Sequence, residues 1–229
     1  MNEIQILYED EDILAVNKPS GLPMHPNLDP LRSNLAGALQ CQLARRDGEP
    51  GYLGIHQRLD LETSGIVIFT RSSRANRGMA CQFETRTVIK EYLALIGAVN
   101  IPDEWIADKS IGEPIRRGGP VRVGAKGGKA AKTQFVTLQR AKRGSLVKAV
   151  LLSGRKHQIR AHLASCGRPI IGDALYGGQL NVGKHKAARV MLHAWHLALN
   201  HPVSGEAIDI KAEPPQDFLE TAHVMGIVW

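Results

Sequence analysis

Little in this sequence of 229 residues points to a membrane, an oxidising compartment or a metal. No apolar run approaches the roughly 18–20 residues that span a bilayer. The start, Met1-Asn2-Glu3-Ile4-Gln5, has neither the basic opening nor the small-residue cleavage site of a secretory leader. Cysteine is scarce: Cys41, Cys81 and Cys166 are odd in number, widely spaced and form no C-x-x-C pair. That excludes a disulfide framework and a thiolate zinc site, and predicts buried free thiols in a reducing, cytosolic compartment. Histidine is plentiful but wrongly spaced for a metal. His157 and His162 are rotated about 140° from each other on a helix, and His193 and His196 fall on opposite faces of a strand. No carboxylate is close to either pair in the sequence, so no metal site is expected.

The most informative absence is of negative charge. Between Glu113 and Asp173 there is no carboxylate, and fourteen lysines and arginines fall in that gap. The rest of the chain carries fifteen bases against twenty-two acids, so the net charge of +7 comes from one basic segment in an otherwise acidic protein. A one-signed segment of this kind is either a solvated face or a surface that meets a polyanion.

Periodicity and turn chemistry sort the chain into elements. Residues 5–8 and 13–16 are apolar runs around the acidic turn Glu9-Asp10-Glu11-Asp12, an opening hairpin. Lys18-Pro19-Ser20-Gly21-Leu22-Pro23-Met24-His25-Pro26 holds three prolines and a glycine, which predicts an ordered loop. A helix is predicted from Ser33, its cap, with Leu35, Leu39 and Leu43 on one face and Arg45 and Arg46 at its negative end. Further helices are predicted over 72–86, 156–166 and 216–224, the second of these stopped by Gly167 and Pro169. Strands are predicted over 66–70, 87–96, 134–138, 146–152, 190–199 and 207–210, with Lys90 and Tyr92 sharing a face. Strands outnumber helices and many are joined by short turns, so the expected class is α+β with a largely antiparallel sheet. Residues 112–132 read as a flexible basic loop carrying Arg116, Arg117, Arg122, Lys126, Lys129 and Lys132. A phosphate-loop reading of this stretch fails, because Val123 stands where the first glycine belongs and Ala130 where Ser or Thr belongs.

The chain turns on His56-Gln57-Arg58-Leu59-Asp60-Leu61-Glu62-Thr63-Ser64-Gly65 and the uncharged run Ile66-Val67-Ile68-Phe69-Thr70 that follows. A buried strand entered through a glycine would present a polar loop with an imidazole, a guanidinium and a carboxylate. Asp60 is the candidate reactive group; an Asx turn is the plain alternative. Arg58 alone is a surface charge or a partner for Glu62, and Tyr92 alone is a half-buried strand residue. On the helix over 156–166, Ile159, Leu163 and Cys166 form one apolar stripe with Arg160 and His157 beside it. A guanidinium so placed needs a carboxylate or phosphate, and a structural ion pair would satisfy it.

In order along the chain, these stretches resemble the RluA-like RNA pseudouridine synthases. The matching motifs are Lys18-Pro-Ser-Gly-Leu-Pro-Met-His-Pro26, Arg58-Leu-Asp-Leu-Glu-Thr-Ser-Gly65, Lys90-Glu-Tyr92 and Gly154-Arg-Lys-His-Gln-Ile-Arg-Ala-His162. Gly167-Arg-Pro-Ile-Ile-Gly-Asp-Ala-Leu-Tyr-Gly177 and Leu192-His-Ala194 before His201-Pro202 complete the set. The resemblance implies the pseudouridine synthase catalytic fold, a mixed and mainly antiparallel central sheet flanked by helices and loops. It implies one catalytic domain over residues 1–229, with no RNA-binding module in front. It further implies a cytoplasmic isomerase acting on structured RNA (tRNA, large-subunit rRNA or both), with no cofactor, no metal and no obligate protein partner.

By the same resemblance Asp60 is the catalytic aspartate, Tyr92 the ring that packs on the target base, and Arg160 the arginine paired with the aspartate. Leu192 lines the pocket and Arg58 fills the gap left by the flipped uridine. Lys90, Arg155, Lys156 and His157 join Arg116, Arg117, Arg122, Lys126 and Lys129 as RNA-contacting candidates, and residues 27–54 and 112–132 as the segments that choose the target. One departure stands out: the family has His directly before the Arg, whereas Gln57 separates His56 from Arg58. A non-catalytic RNA-binding protein or chaperone on this fold would have no need of Asp60 or Tyr92. A hydrolase using Asp60 and His56 lacks a visible nucleophile or metal set.

Overall fold

The computed structural model describes residues 3–25, 34–116 and 118–229. The chain divides into two compact units, Met1–Ile89 with Ala194–Glu213, and Lys90–His193 with Pro214–Trp229. The first unit opens with strands β1 (Gln5–Glu9) and β2 (Ile13–Lys18), helix α1 (Leu35–Asp47), β3 (Gly54–Ile55), β4 (Ser64–Thr70) and helix α2 (Ser73–Thr85). The second follows with β5 (Ile89–Ile96), β6 (Glu104–Ala107), β7 (Ile111–Pro114), β8 (Val121–Val123), β9 (Thr133–Ala141), β10 (Gly144–Leu151) and helix α3 (Gln158–Ser165). A 3-10 turn (Ala174–Tyr176) and the short strands β11 (Asn181–Val182) and β12 (His185–Lys186) come next. Then β13 (Leu192–Asn200) and β14 (Ala207–Lys211) return to the first unit, and α4 (Gln216–Met225) closes the second. The class is α+β, with mainly antiparallel pairing.

In the first unit the strand order is β1-β2-β4-β13, with β14 on β13 and β3 on β4. All seven residues of β4 are buried, as its lack of charge demands. One face carries Ile66 and Ile68 into a cluster with Ile13, Ala15, Met79, Leu197, Leu199, Ile208 and Ile210. Helix α1 buries Leu35, Leu39 and Leu43 as their spacing requires. Its cap is Asn34, whose Oδ1 accepts the Gly37 N–H at 3.0 Å; Ser33, the expected cap, lies outside the described residues. Helix α2 starts at the cap Ser72 and ends at Arg86 in the left-handed region, with Met79 buried.

Charge clusters at the edge of this unit. Arg46 and Arg71 bind Glu9, and Arg74 Nε donates to Asp12 Oδ1 at 2.7 Å beside the Ser72 hydroxyl. Arg46 holds Glu9, and Arg74 with Ser72 holds Asp12, below the usual carboxylate range. A carboxylate whose folded value is lowered adds stability above its unfolded value of about 4, and that stability is lost as pH falls through the folded value. Urea midpoints should therefore fall steeply once pH drops below about 4. Asp12→Asn should lose stability at pH 7 and show a shallower acid limb; an identical limb in that variant would remove this pair from the account.

In the second unit the order is β5-β10-β9-β6. Trp105 lies opposite Phe135, and the rings stack at 5.0 Å. Two expectations fail here. Residues 112–132 are not simply a flexible loop: β7 pairs with β8, and Ile111 bridges to Lys129. The physical reason is apolar packing, since Ile111, Val121 and Ala131 cluster with Ala161 of α3. The three cysteines are free but exposed rather than buried. Cys41 and Cys81 take the solvent faces of α1 and α2, and α3 ends at Ser165, so its apolar stripe stops at Leu163 before reaching Cys166.

Candidate active site

In the first unit, the loop before β4 is held by its own backbone and by a clamp from residues 18–22. Gly65 enters β4 at φ 113°, and a Cβ there would strike the Ala194 backbone of β13, so no other residue fits without a shift. The Asp60 carbonyl accepts the Thr63 N–H at 3.2 Å, closing the turn, with the Asp60 side chain half-buried and Leu59 buried. Arg58 is exposed. Lys18 is fully buried, and its ammonium donates to the carbonyls of Pro19 (3.0 Å), Leu22 (3.0 Å) and Leu61 (3.2 Å). The Gly21 N–H also donates to Leu61 O at 2.8 Å, and the Ser20 hydroxyl to Glu62 O at 2.8 Å. Backbone oxygens thus solvate a buried cation and lock the turn next to Asp60. In the sequence Lys18 is only the first residue of a proline-rich loop, and nothing local marks it as buried.

Gln57 and His56 are both held against β4. Gln57 Nε2 donates to Ile66 O at 3.3 Å, so the inserted residue pins the loop along β4. His56 Nε2 lies 3.2 Å from the Thr70 hydroxyl, which itself donates to Asn76 Oδ1 at 2.6 Å. Its ring stacks on Phe83, and burial pushes its pKa down. β3 runs antiparallel to β4, with Gly54 opposite Thr70. His56 therefore sits at the Thr70 end of the strand and Asp60 at the Ser64 end, which argues against a hydrolase built on the two.

In the second unit, the residue capping the start of α3 is His157, a non-glycine residue at φ 53°. Arg160, only 6% exposed, donates from Nε and Nη2 to the two oxygens of fully buried Asp173, at 2.7 and 2.8 Å. This fork-to-carboxylate pairing is the strong form of an ion pair. The position of Arg160 predicts a carboxylate or phosphate, and the resemblance implies Asp60; the Asp173 bonds are signalled only by the Gly172-Asp173-Ala-Leu-Tyr176 stretch. Asp173 Oδ1 also accepts the Tyr176 N–H at 3.2 Å. His162 is fully buried and burial lowers its pKa. Its Nε2 meets Lys109 O at 2.9 Å and its Nδ1 the Thr133 hydroxyl at 2.9 Å, which suits a neutral ring with the proton on Nε2. Gln158 extends the network to Ser153, Lys132 and Thr133. Both ends of the 109–132 segment are thereby tied to α3.

Tyr92 lies on β5 opposite Ala149, 8% exposed, and Lys90 is half-buried with its ammonium near Gly154. Leu192 is buried, and its carbonyl accepts from Arg189 Nη1 at 3.2 Å. Arg189 is buried too and forks onto Asp217 of α4 at 2.6 and 2.9 Å, a support that went unforeseen. Among the basic candidates, Arg116, Arg122, Lys126, Lys129 and Lys156 are exposed. Arg155 is half-buried with Nε on Ala130 O at 3.2 Å, and Arg117 lies outside the described residues. The histidines go to separate partners: His157 to Tyr176, His162 to Thr133, and His193 against Phe218. His196 does have a carboxylate nearby, Asp209 Oδ2 at 2.8 Å, brought by cross-strand pairing with β14.

Known proteins share the family pattern and the fold of this chain. The pattern of the family described as RNA pseudouridylate synthase matches residues 12–165. An uncharacterised RNA pseudouridine synthase of Bacillus subtilis is 33% identical over 220 residues, covering 95% of this chain and 71% of that protein. The ribosomal large subunit pseudouridine synthase D of Zymomonas mobilis is 32% identical over 224 residues, covering 93% of this chain and 70% of the other. Among solved structures, human RNA pseudouridylate synthase domain containing 4 superposes with a TM-score of 0.82 at 25% identity, covering 98% of this chain and 94% of that one.

Proposed function

The chain belongs to the RNA pseudouridylate synthase family, and we propose from that membership that it isomerises specific uridines of structured RNA through Asp60 and a flipped-out base. The observation that carries the reading is the family match over residues 12–165, a span that holds Asp60, Tyr92 and Arg160. The bond between uracil N1 and the sugar breaks, the ring turns, and a bond from carbon five replaces it while the carbon-five proton leaves and N1 takes up a proton. Atoms and electrons balance with no redox partner. Asp60, ionised, works at the sugar, either attacking it or taking a proton from it.

A uridine inside a stack is out of reach, so the base must leave the helix. The exposure of Arg58, two residues before Asp60, supports its role as the side chain that fills the gap. Tyr92 offers a flat face to the freed ring, and Arg160 supplies the positive charge that keeps a catalytic carboxylate ionised. Large-subunit rRNA and tRNA are the candidate substrates; the name of the Zymomonas relative favours the first.

RNA labelled with tritium at uracil carbon five should release the label when mixed with the purified protein. A protein that binds this RNA without release, and whose gene deletion leaves every pseudouridine in place, would be the non-catalytic binder instead. The exposed lysines of the basic segment make a second test. Replacing Lys126 and Lys129 by Ala should weaken binding and make the salt dependence shallower by about 0.7–0.9 per lost phosphate contact. An unchanged slope would take that segment out of the interface.

A further inference from the structure

The basic β7–β8 hairpin and the Arg160 guanidinium meet at one side chain, Tyr176. At one end of the ring, the Tyr176 hydroxyl accepts the Val121 N–H of β8 at 2.9 Å. The same oxygen lies 3.1 Å from His157 Nδ1, with the imidazole edge-on to the ring. In the tautomer with Nδ1 bare, His157 accepts a hydrogen bond from the Tyr176 O–H, and the same oxygen accepts from Val121. The ring face lies under Arg160, whose Cζ is 5.2 Å from the centroid. At the other end, the Tyr176 N–H donates to Asp173, the carboxylate that holds Arg160. Apolar packing follows the same line: Val121, Ile111 and Ala131 pack with Ala161, the residue after Arg160, and with Tyr176 itself.

We propose that Tyr176 is a positioning residue that couples the hairpin's hold on RNA to the setting of Arg160; this rests on the RNA-modifying reading above. A phenol ring has two side-chain torsions and no internal slack. A displacement of Val121 felt at its hydroxyl is therefore carried to the face that supports the guanidinium. In the other direction, Arg160 and Asp173 hold the ring still and with it the strand that presents Arg122, whose side chain is exposed beside Val121. Removing the hydroxyl should loosen only the hairpin, and removing the ring should disturb Arg160 as well.

The test compares the wild type with Tyr176→Phe, Tyr176→Leu, Arg122→Ala and the Tyr176→Phe/Arg122→Ala double variant, by tritium release and RNA binding on carbon-five-labelled cellular RNA. For Tyr176→Phe, KM and Kd for RNA should rise about fivefold while kcat changes less than twofold, the size of one lost hydrogen bond. For Tyr176→Leu, kcat should also fall by about tenfold or more. In the double variant the KM increase should be smaller than the product of the single effects. A purely structural tyrosine would lower the melting temperature and the active fraction and leave KM alone, and that result overturns the proposal. So does an unchanged Kd in Tyr176→Phe, or an unchanged kcat in Tyr176→Leu. A wild type that releases no tritium would overturn the activity reading instead, and the Kd of Tyr176→Phe would still decide whether the hydroxyl anchors the hairpin.

Discussion

Asp60→Asn should cut tritium release by at least about a thousandfold, the scale on which an enzyme loses an acid–base or nucleophilic group. RNA affinity should stay within about twofold, because on the proposed function the basic segment, and not this half-buried side chain, would neutralise the phosphates. The substitution keeps the side-chain shape and exchanges one ionised acceptor oxygen for a neutral amide donor. The turn itself is closed by backbone, through Asp60 O with Thr63 N–H and Leu61 O with Lys18 and Gly21, so the variant should fold with an unchanged melting temperature. Persistent activity would move the chemistry to another residue. Joint loss of activity and fold would instead return Asp60 to its plain role as a turn former.

Asp173→Ala carries the second large effect, on stability. It removes both carboxylate bonds from a guanidinium that is 7% exposed in its side chain, and breaking a buried pair from one side costs about 3–5 kcal/mol. Chemical denaturation should show a loss of that order. Adding Arg160→Met removes the buried guanidinium that Asp173 holds, so the double variant should be more stable than Asp173→Ala alone and should release no more tritium than it. If the single variant costs less than about 1 kcal/mol, the pair is solvated like a surface bridge and the burial argument fails.

How much could be read in the sequence depended on the range of the interaction. The three leucines of α1 at i, i+4 and i+8 and the uncharged run of β4 announce themselves within a dozen residues, and both are where expected. The strands β7 and β8 were invisible because their sequence is glycine-rich and basic; they form because Ile111 and Val121 find Ala161 of α3. Cys166 misled for a related reason: its helical spacing is apolar, but the helix ends one residue earlier. Arg160 could be read as needing a carboxylate, yet Asp173 sits in a stretch with no periodicity, where only a motif pointed. Lys18 shows the limit from the other side, as a lysine predicts exposure while its ammonium is buried on three backbone carbonyls, one of them 43 residues away.

The amino-acid sequence alone determined the class, the family, the loop bearing Asp60 and the one-signed charge of the segment over 114–172. Those properties rest on local patterning, on motif order and on residue type, which no folding is needed to count. Tertiary structure alone decided which groups hold that chemistry in place: Lys18 for the Asp60 turn, Asp173 for Arg160, Arg189 for Leu192 and Tyr176 for the hairpin. Except for Arg189 and Leu192, three residues apart, each pair joins groups more than ten residues apart in the sequence. Burial makes an unmet hydrogen bond costly enough to select one partner, and which partner is near is a property of the folded chain only.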